Sequence, residues 1–283
     1  MTFSPNPHTT PVPHIDWQAL TPAVLDALAA PVVVTGWPAP PRHLAADALK
    51  AWLDGQMLWV YARNSGDAWQ EWTADDFVDA WAAPNADPGL NVVDVYLQDR
   101  RFDAVFPVHP AMDAANLLNR DARTAHYRRS VVLTAPGAYT PMHVDSYGCG
   151  GWMYLIEGEK HWELAHADLA LGLWDAATGD YADPRTGNWP DGVPTWTTTL
   201  RAGEMMICPP GFVHRVATPV RCVGFGGAFL PEGQVARGVE VWRREQALDQ
   251  AGALNFADVL RQATAASKPD VQAAVAAALG HTR

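Results

Sequence analysis

Two histidines and one aspartate in this chain have the types and spacing needed to bind a metal ion. His143 and Asp145 are separated by one residue in a segment that favours a β-strand, and side chains two apart on a strand point to the same face. A third ligand is expected from His214, which follows a Pro-Pro-Gly turn and precedes a largely apolar run, Val220 to Phe229. Two imidazoles and one carboxylate form a facial triad that leaves positions open on a non-haem iron(II) ion. The sequence therefore predicts a catalytic metal site formed by His143, Asp145 and His214.

The segments around this triad indicate paired strands. An apolar strand is expected from Trp152 to Ile156, a Glu-Gly turn follows it, and a second strand is expected from Lys160 to Leu164. A Pro-Gly-X-X-His run ending at His214 comes later in the chain. A His-X-Asp triplet on its own would most often be an ordinary polar strand face, so it is this combination that favours the metal site.

Together these motifs resemble the JmjC branch of the cupin-fold 2-oxoglutarate-dependent oxygenases, with an order similar to that of the F-box and PHD-finger lysine demethylases. That family has a Tyr-Thr-X-X-His-X-Asp run, a Gly-containing loop, a Trp, a Gly-Glu-Lys turn, a Pro-X-Gly-Trp-X-His run and a Gly-Gly-X-Phe-Leu run. The corresponding residues here are Tyr139, Thr140, His143, Asp145, Trp152, Gly158 to Lys160, Pro209 to His214, and Gly226 to Leu230. The resemblance covers residues 69 to 245 of the chain.

This resemblance implies a mainly β fold with flanking α-helices: a double-stranded β-helix core of the cupin or jelly-roll type, with N- and C-terminal helices. It implies iron(II), 2-oxoglutarate as cosubstrate, and dioxygen. By position, Thr140 and Lys160 bind the 2-oxoglutarate carboxylate distant from the metal, and Asn91 is a further cofactor-binding candidate. A lysine suits this task because its ammonium group is a compact charge that pairs with a carboxylate.

Two departures from the family pattern bear on the reaction. Met153 stands where the demethylases carry a tyrosine, and Ala228 replaces an asparagine in the Gly-Gly-Asn-Phe-Leu run. We therefore expect a 2-oxoglutarate-dependent dioxygenase that hydroxylates a C–H bond of a peptide, amino-acid or small-molecule substrate. The alternatives are an N-methyl-lysine demethylase, a cupin metalloenzyme that does not use 2-oxoglutarate, and a noncatalytic cupin binding module.

Composition restricts the partners. The 283 residues include 20 Lys and Arg against 31 Asp and Glu, and this formal charge of -11 would repel a phosphate backbone. We therefore expect no nucleic-acid partner, and since no apolar run is long enough to span a bilayer, no membrane association. The three cysteines have no CxxC spacing, which predicts reduced thiols and a cytoplasmic location.

Three regions are expected along the chain. Residues 1–15 are rich in Pro, Thr and His and predict a mobile arm, residues 16–245 form the catalytic domain, and residues 246–283 form a C-terminal helical segment. The region from Ala165 to Trp196 lacks periodicity and predicts a long insertion over the barrel mouth. The Ala-rich C-terminal helices suggest a homodimer face, and packing against the barrel is the alternative.

Local patterns also predict individual elements. Helices are expected over 16–30, 44–53 and 73–83, the last with a capping box at Thr73, and strands over 32–35, 57–61 and 90–97.

Overall fold

The computed structural model describes the chain in several stretches. These are residues 8–38, 45–54, 56–61, 69–87, 90–96, 108–124, 129–175, 180–181, 189–190, 192–245 and 251–280. The strands within them are β1 Thr9–Pro11, β2 His14–Asp16, β3 Val32–Thr35, β4 Met57–Tyr61, β5 Trp69–Thr73, β6 Asn91–Tyr96, β7 Ser130–Thr134, β8 Tyr139–His143, β9 Gly150–Glu157, β10 Glu159–His166, β11 Trp174–Asp175, β12 Asp180–Tyr181, β13 Thr195–Arg201, β14 Met205–Cys208, β15 Phe212–Ala217 and β16 Cys222–Phe229.

The α-helices of the described part are shorter in total and lie mostly toward the two ends. They are α1 Pro22–Asp26, α2 Ala46–Leu53, α3 Ala74–Ala82, α4 Pro110–Ala115, α5 Val235–Glu245, α6 Ala251–Ala263 and α7 Pro269–Gly280. None of the described helices is long and apolar enough to cross a bilayer.

Two sheets form the core of the fold. The smaller has the order β1-β13-β10-β15-β8 and the larger the order β2-β3-β14-β9-β16-β7-β6-β4-β5, while β11 and β12 pair separately. Their central strands, β8-β15-β10-β13 in one sheet and β7-β16-β9-β14 in the other, are antiparallel throughout. The chain thus winds back and forth between two four-stranded layers. This arrangement is a double-stranded β-helix, and it confirms the predicted fold class.

The N-terminal helices cover part of the larger sheet. Helix α3 begins at Thr73, whose Oγ1 accepts a hydrogen bond from the Asp76 N–H at 3.1 Å, so the predicted cap is present. The helix buries Phe77 and Trp81 in a cluster that also contains Leu58 of β4. Each large apolar side chain buried in this way contributes about 1.5–3 kcal/mol.

Most of the predicted elements are present, but the first predicted helix is interrupted. Residues 16–30 contain a 3-10 helix, Trp17–Ala19, and the five-residue α1 with Pro22 in its first turn. A proline has no N–H to continue the hydrogen bonding of a preceding helix, so Pro22 starts a new helix instead.

The segment predicted as a mobile arm is ordered in its described part, which corrects that prediction. Strand β1 pairs in parallel with β13, β2 pairs in parallel with β3, and Val12 between them is buried. Pairing with distant strands satisfies the backbone N–H and C=O groups of this segment, and its composition does not indicate that pairing.

The C-terminal helices pack inward. Val239 and Trp242 of α5, Leu260 of α6, and Val275 and Leu279 of α7 are buried together with Leu230 at the end of β16. Large exposed apolar side chains in the described residues lie elsewhere, at Val24, Met57, Trp59, Leu169 and Val220. Packing against the barrel therefore accounts for the apolar stripes of these helices, and a homodimer through them stays a prediction.

The insertion between β10 and β13 lies against the outer face of the smaller sheet in its described part, which differs from the position predicted over the barrel mouth. Trp189 Nε1–H donates to Glu163 Oε2 at 3.0 Å, and Arg215 donates to the same oxygen at 2.7 and 3.0 Å. Glu163 and Arg215 are both buried, and they extend from the sheet face opposite to His214. The hydrogen bond from Trp189 to this buried ion pair therefore holds the described part of the insertion against the sheet.

Breaking this ion pair should destabilise the protein. Glu163→Gln removes the negative charge to which the buried Arg215 guanidinium donates two hydrogen bonds, and we expect the free energy of unfolding to fall by about 3 kcal/mol. Urea denaturation measures this change. The control is Glu157→Gln, because the 3.5 Å pair of Glu157 with Arg221 is partly exposed and should contribute less than about 1 kcal/mol. Equal losses in both variants would contradict a special role for the buried pair.

Candidate metal centre

The three predicted metal ligands come together in the structure. One ligand atom from each of His143, Asp145 and His214 lies within 4.8 Å of the others. The two imidazole rings are 4.2 Å apart between centroids, and His214 Nε2 is 3.9 Å from Asp145 Oδ1. These three donors can therefore bind one ion on the same face, as a facial triad requires.

Strand pairing produces this proximity. In the antiparallel pair of β8 and β15, His143 lies directly opposite His214. Opposite residues of such a pair have Cβ atoms about 4.5–5.5 Å apart, so two imidazoles on one face necessarily meet.

The hydrogen bonds of the two histidines leave the correct nitrogen free for a metal. His143 Nδ1 is 2.8 Å from the Pro141 carbonyl oxygen, and His214 Nδ1 makes a longer contact of 3.5 Å with the Phe212 carbonyl oxygen. Because a carbonyl oxygen only accepts, each Nδ1–H is the donor, and in the neutral imidazole this tautomer leaves the Nε2 lone pair for a metal. Metal-binding histidines are usually oriented in this way by a second hydrogen bond.

Burial also keeps His214 neutral. Desolvation, with a further contribution from the neighbouring His143, holds the pKa of His214 well below its usual range. Its 3.9 Å approach to Asp145 is therefore not an ion pair, and the imidazole can bind a cation without first losing a proton. Trp162 stacks on the His214 ring at 5.3 Å between centroids and fixes its plane.

Asp145 does not lie on a strand, although the sequence placed it on one. Strand β8 ends at His143, and Asp145 precedes a short 3-10 turn, Ser146–Gly148. Its carboxylate packs against Gly151, where a Cβ atom would lie 2.7 Å from Asp145 Oδ2. A side chain at position 151 would therefore press on the Asp145 carboxylate and shift it from its place beside the histidines.

A β-bulge brings Thr140 to the same face as His143. Thr140 and His143 are three residues apart, so simple alternation would put them on opposite faces. Opposite them on β15, however, Val216 and His214 are only two apart, and the register shifts between these positions. The extra residue in β8 lets both Thr140 and His143 line the interior.

A cavity of about 130 Å³ between the two sheets contains the triad. Predicted cofactor residues Thr140 and Lys160 both line it, as do Met153 and Ala228 at the two positions that depart from the family pattern. The full lining consists of Ser130, Val132, Thr140, His143, Asp145, Gly151, Trp152, Met153, Lys160, Trp162, Met206, Cys208, His214, Val216, Gly226, Gly227 and Ala228.

Several of these residues were not predicted. Trp162 and Val216 follow Lys160 and His214 by two positions, so strand alternation could have identified both. Met206 and Cys208 alternate in the same way on β14, but nothing in the sequence indicates which face of β14 points inward.

Asn91 is not part of this lining. It is buried on β6 opposite Thr134, and β6 lies outside the four central strands of the larger sheet. The structure therefore does not bring Asn91 to the cavity with Thr140 and Lys160, and its role in cofactor binding stays a prediction without geometric support.

Lys160 is buried, and in the described part of the chain no carboxylate forms an ion pair with it. The residue is 1% exposed, and its Nζ donates to the Thr218 hydroxyl at 3.1 Å. Desolvation lowers the pKa of Lys160 to about 8, and the neighbouring Cys222 thiol partly opposes this shift. A buried ammonium group is costly unless an anion pairs with it, so this end of the cavity is suited to a carboxylate ligand.

Comparisons with known proteins agree with this geometry. Histone lysine demethylase PHF8 of Danio rerio is 24% identical over 198 residues, which is 64% of this chain and 18% of that protein. Lysine-specific demethylase phf2 of Danio rerio is 23% identical over 192 residues, 65% of this chain and 18% of that protein. Lysine-specific demethylase 2A of Xenopus tropicalis is 29% identical over 102 residues, 35% of this chain and 9% of that protein. The chain spans less than a fifth of the length of these relatives. No protein-family model matches it.

These relatives confirm the resemblance to JmjC-domain lysine demethylases that the motifs indicated. They support the class of iron(II)- and 2-oxoglutarate-dependent oxygenases, without distinguishing hydroxylation from demethylation. The residues present fit such cofactors, since two Nε2 atoms and a carboxylate converge in one cavity with a buried ammonium group. The prediction of iron(II), 2-oxoglutarate and dioxygen as cofactors is confirmed on these grounds.

The buried charge of Lys160 should make the stability of the ligand-free protein depend on pH. The pKa of Lys160 is about 8 in the folded state against 10.5 ordinarily. Below pH 8 Lys160 is protonated in both the folded and the unfolded protein, so folding carries the full cost of burying its ammonium charge. Between pH 8 and 10.5 the folded state gives up a proton that the unfolded state retains, so this contribution to the free energy of unfolding rises with pH, by about 3 kcal/mol in total.

Lys160→Met removes this dependence. The variant's free energy of unfolding minus that of the wild type should therefore be larger at pH 7 than at pH 10.5, which urea denaturation across this range measures. Lys50→Met is the control, because the hydrogen bond that the Lys50 ammonium donates to Asp79 raises the pKa of Lys50. A raised pKa adds stability that is lost only as the pH rises above 10.5, so the difference between Lys50→Met and wild type should not be larger at pH 7 than at pH 10.5. A difference between Lys160→Met and wild type that does not change with pH would mean that Lys160 has an ordinary pKa.

Proposed function

We propose that this chain is an iron(II)- and 2-oxoglutarate-dependent oxygenase that hydroxylates a C–H bond of a peptide, amino-acid or small-molecule substrate. One observation carries the proposal. A buried lysine, paired with no carboxylate in the described residues, lines the same cavity as a His-Asp-His cluster. A metal alone explains the cluster but leaves the lysine charge without an anion, whereas a metal-binding dicarboxylate accounts for both features.

The three clustered side chains are assigned to the metal. His143 and His214 would bind through Nε2, because their Nδ1 atoms are directed to backbone carbonyls. Asp145 would supply the third donor and compensate part of the ionic charge. Ligands on one side leave the opposite side open for the cosubstrate and dioxygen.

Lys160 and Thr140 are assigned to the distal carboxylate of 2-oxoglutarate. Lys160 supplies the charge and Thr140 a hydroxyl donor, and both line the cavity on the smaller sheet. The Thr218 hydroxyl holds Lys160 Nζ at 3.1 Å, which orients the ammonium group before the ligand arrives. A rigid charged group of this kind binds with little cost in reorganisation.

This anchor also separates the proposal from two of its alternatives. A cupin metalloenzyme without 2-oxoglutarate has no use for a buried, unpaired cation, and a noncatalytic binding module does not require three converging metal donors. The chemistry that the bound group supplies is oxidation of a C–H bond to C–OH by dioxygen, with 2-oxoglutarate converted to succinate and carbon dioxide. The chain contributes positioning and a largely apolar enclosure, from Val132, Trp162, Met206 and Val216 among others.

Hydroxylation is favoured over demethylation by the residues at two cavity positions. Met153 and Ala228 both line the cavity, and neither can donate a hydrogen bond from its side chain. The demethylase pattern places a tyrosine and an asparagine there, so the polar groups that would complete the cosubstrate and substrate sites are lacking. A simpler, more apolar pocket fits a substrate without a methylammonium group.

Methyl-lysine demethylation is the second candidate, because the relatives are named as lysine demethylases. Its chemistry begins with the same hydroxylation, at a carbon bonded to nitrogen, after which the product breaks down to an amine and formaldehyde. A basic peptide would also suit a chain with a formal charge of -11.

Two variants should separate metal binding from cosubstrate binding. His143→Ala/His214→Ala should abolish stoichiometric iron(II) binding, because two of three ligands are removed. Lys160→Ala should retain iron(II) and weaken 2-oxoglutarate binding by about 100-fold, since the carboxylate loses its only cationic partner on the described chain. Anaerobic metal analysis and calorimetric titration with 2-oxoglutarate measure the two effects.

The matched control for Lys160→Ala is Lys50→Ala, which removes a lysine outside the cavity lining and should change neither property. Iron retained in the double histidine variant as in wild type would refute the metal site. Unchanged 2-oxoglutarate affinity in Lys160→Ala would refute the anchor.

The product distinguishes hydroxylation from demethylation. Turnover of candidate peptides and amino acids under ¹⁸O-labelled dioxygen should give a product carrying one additional labelled oxygen, with one succinate formed per hydroxylation. Mass spectrometry detects this gain, and an unmethylated peptide serves as the control for a trimethylated one. Formaldehyde released in equal amount to succinate, from methylated peptides only, would replace the hydroxylase assignment with demethylation.

A further inference from the structure

The turn after Asp145 has an unusual backbone conformation. Tyr147 has φ 61° and ψ 24°, and it is the only described non-glycine residue with positive φ. Gly148 follows with φ 64°, and its N–H donates to the Asp145 carbonyl oxygen at 3.1 Å. A tyrosine adopts the left-handed region only at a cost, so contacts outside the turn must stabilise this conformation.

Helix α5 provides these contacts. The Tyr147 ring packs edge to face on Trp242, with centroids 6.2 Å apart. At Gly148 the backbones meet directly, because a Cβ atom there would lie 2.2 Å from the Gly238 carbonyl oxygen and 2.8 Å from the Trp242 nitrogen. The turn that follows the metal-binding aspartate is therefore seated on one helical turn of α5.

The same part of α5 contacts the turn that precedes His214. A Cβ atom at Gly238 would lie 2.9 Å from the Gly148 carbonyl oxygen and 3.6 Å from Pro210 Cβ. Next to it, Arg237 covers Gly211, where a Cβ atom would lie 2.6 Å from Arg237 Nε, and also pairs with Asp168 at 2.8 Å. Gly238 thus lies between two turns. One follows Asp145, and the other precedes His214.

We propose that Gly238 is a positioning residue that sets the separation of Asp145 and His214 across the two halves of the metal site. This inference rests on the proposed function in one respect, namely that the triad binds a metal. Helix α5 lies outside the double-stranded β-helix, yet it contacts both the turn that follows Asp145 and the turn that precedes His214. A methyl group at position 238 would press on the Gly148 carbonyl and displace the Asp145 turn relative to the His214 turn.

Helix propensity gives the test its direction. Alanine is a better helix former than glycine, so Gly238→Ala would stabilise α5 if position 238 had free space around it. A purely structural glycine in an open helix should therefore tolerate alanine without any effect on metal binding. If position 238 is closely packed, alanine should instead weaken metal binding, even though alanine favours the helix.

The experiment uses cobalt(II) as the probe, added to the full chain without cosubstrate. Gly238→Ala should raise the cobalt(II) dissociation constant by about tenfold or more, the scale on which groups supporting metal ligands act. The visible absorption bands of bound cobalt should also change in position and intensity, which reports altered coordination geometry. The control is Gly280→Ala at the end of α7, where an added Cβ atom meets nothing within 4 Å, and it should match wild type in both measurements.

A second pair of variants keeps the test valid if Gly238→Ala does not fold. Trp242→Leu removes the ring that supports Tyr147 and should weaken cobalt(II) binding, whereas Trp242→Phe retains a ring and should recover most of the affinity. Folding of each variant is checked by circular dichroism before titration.

The outcomes separate this inference from the proposed function. If His143→Ala abolishes cobalt(II) binding and both Gly238→Ala and Trp242→Leu bind it with unchanged affinity and spectrum, the positioning role is refuted and the metal site stands. If His143→Ala binds cobalt(II) as wild type does, the metal site itself is refuted, and the positioning role with it.

Discussion

The antiparallel pairing of β8 with β15 is the interaction on which the rest of the site depends. It places His143 opposite His214, and its bulge brings Thr140 to the same interior face. If the register slipped by one residue, the side chains of the slipped strand would move to the other face, and the two histidines would no longer meet. On β10, the other strand paired with β15, Lys160 and Trp162 point into the same interior. The smaller sheet thus carries two of the proposed metal donors and the proposed carboxylate anchor.

The buried charge of Lys160 is an energetic cost that the strands around the cavity have to accommodate. An ammonium group at 1% exposure lowers stability until an anion arrives, and the surrounding strands tolerate this because they are held by pairing on both sides. Binding a dicarboxylate would relieve this cost, and under the proposed function that relief would contribute to the affinity for 2-oxoglutarate. Thr218 orients the lysine without neutralising it, which keeps the charge available.

Elements outside the barrel contribute to the site as well as to stability. Helix α5 packs on the turns beside Asp145 and His214, and the insertion after β10 is fixed to the opposite face of β15 by Glu163, Arg215 and Trp189. The strand that carries His214 is therefore supported from its outer face and at its preceding turn. Such support holds metal ligands within the narrow geometry that binding requires.

The sequence by itself determined the elements whose signals are local. Val32–Thr35 was predicted as a strand with the bounds that the structure has, and the helix after Thr73 was predicted from its cap, because β-branching and capping act within a few residues. The motif order also identified His143, Asp145, His214, Thr140 and Lys160, all of which line one cavity. Only the tertiary structure decided how they meet. Asp145 lies beyond its strand, Thr140 reaches the interior through a bulge, and Asn91 lies outside the lining. Likewise, residues 9–16 joined the sheets, and the described part of the insertion packed on the outer face. These features depend on backbone pairing and burial between segments far apart in the chain, and neither periodicity nor composition records which distant segment will be the partner.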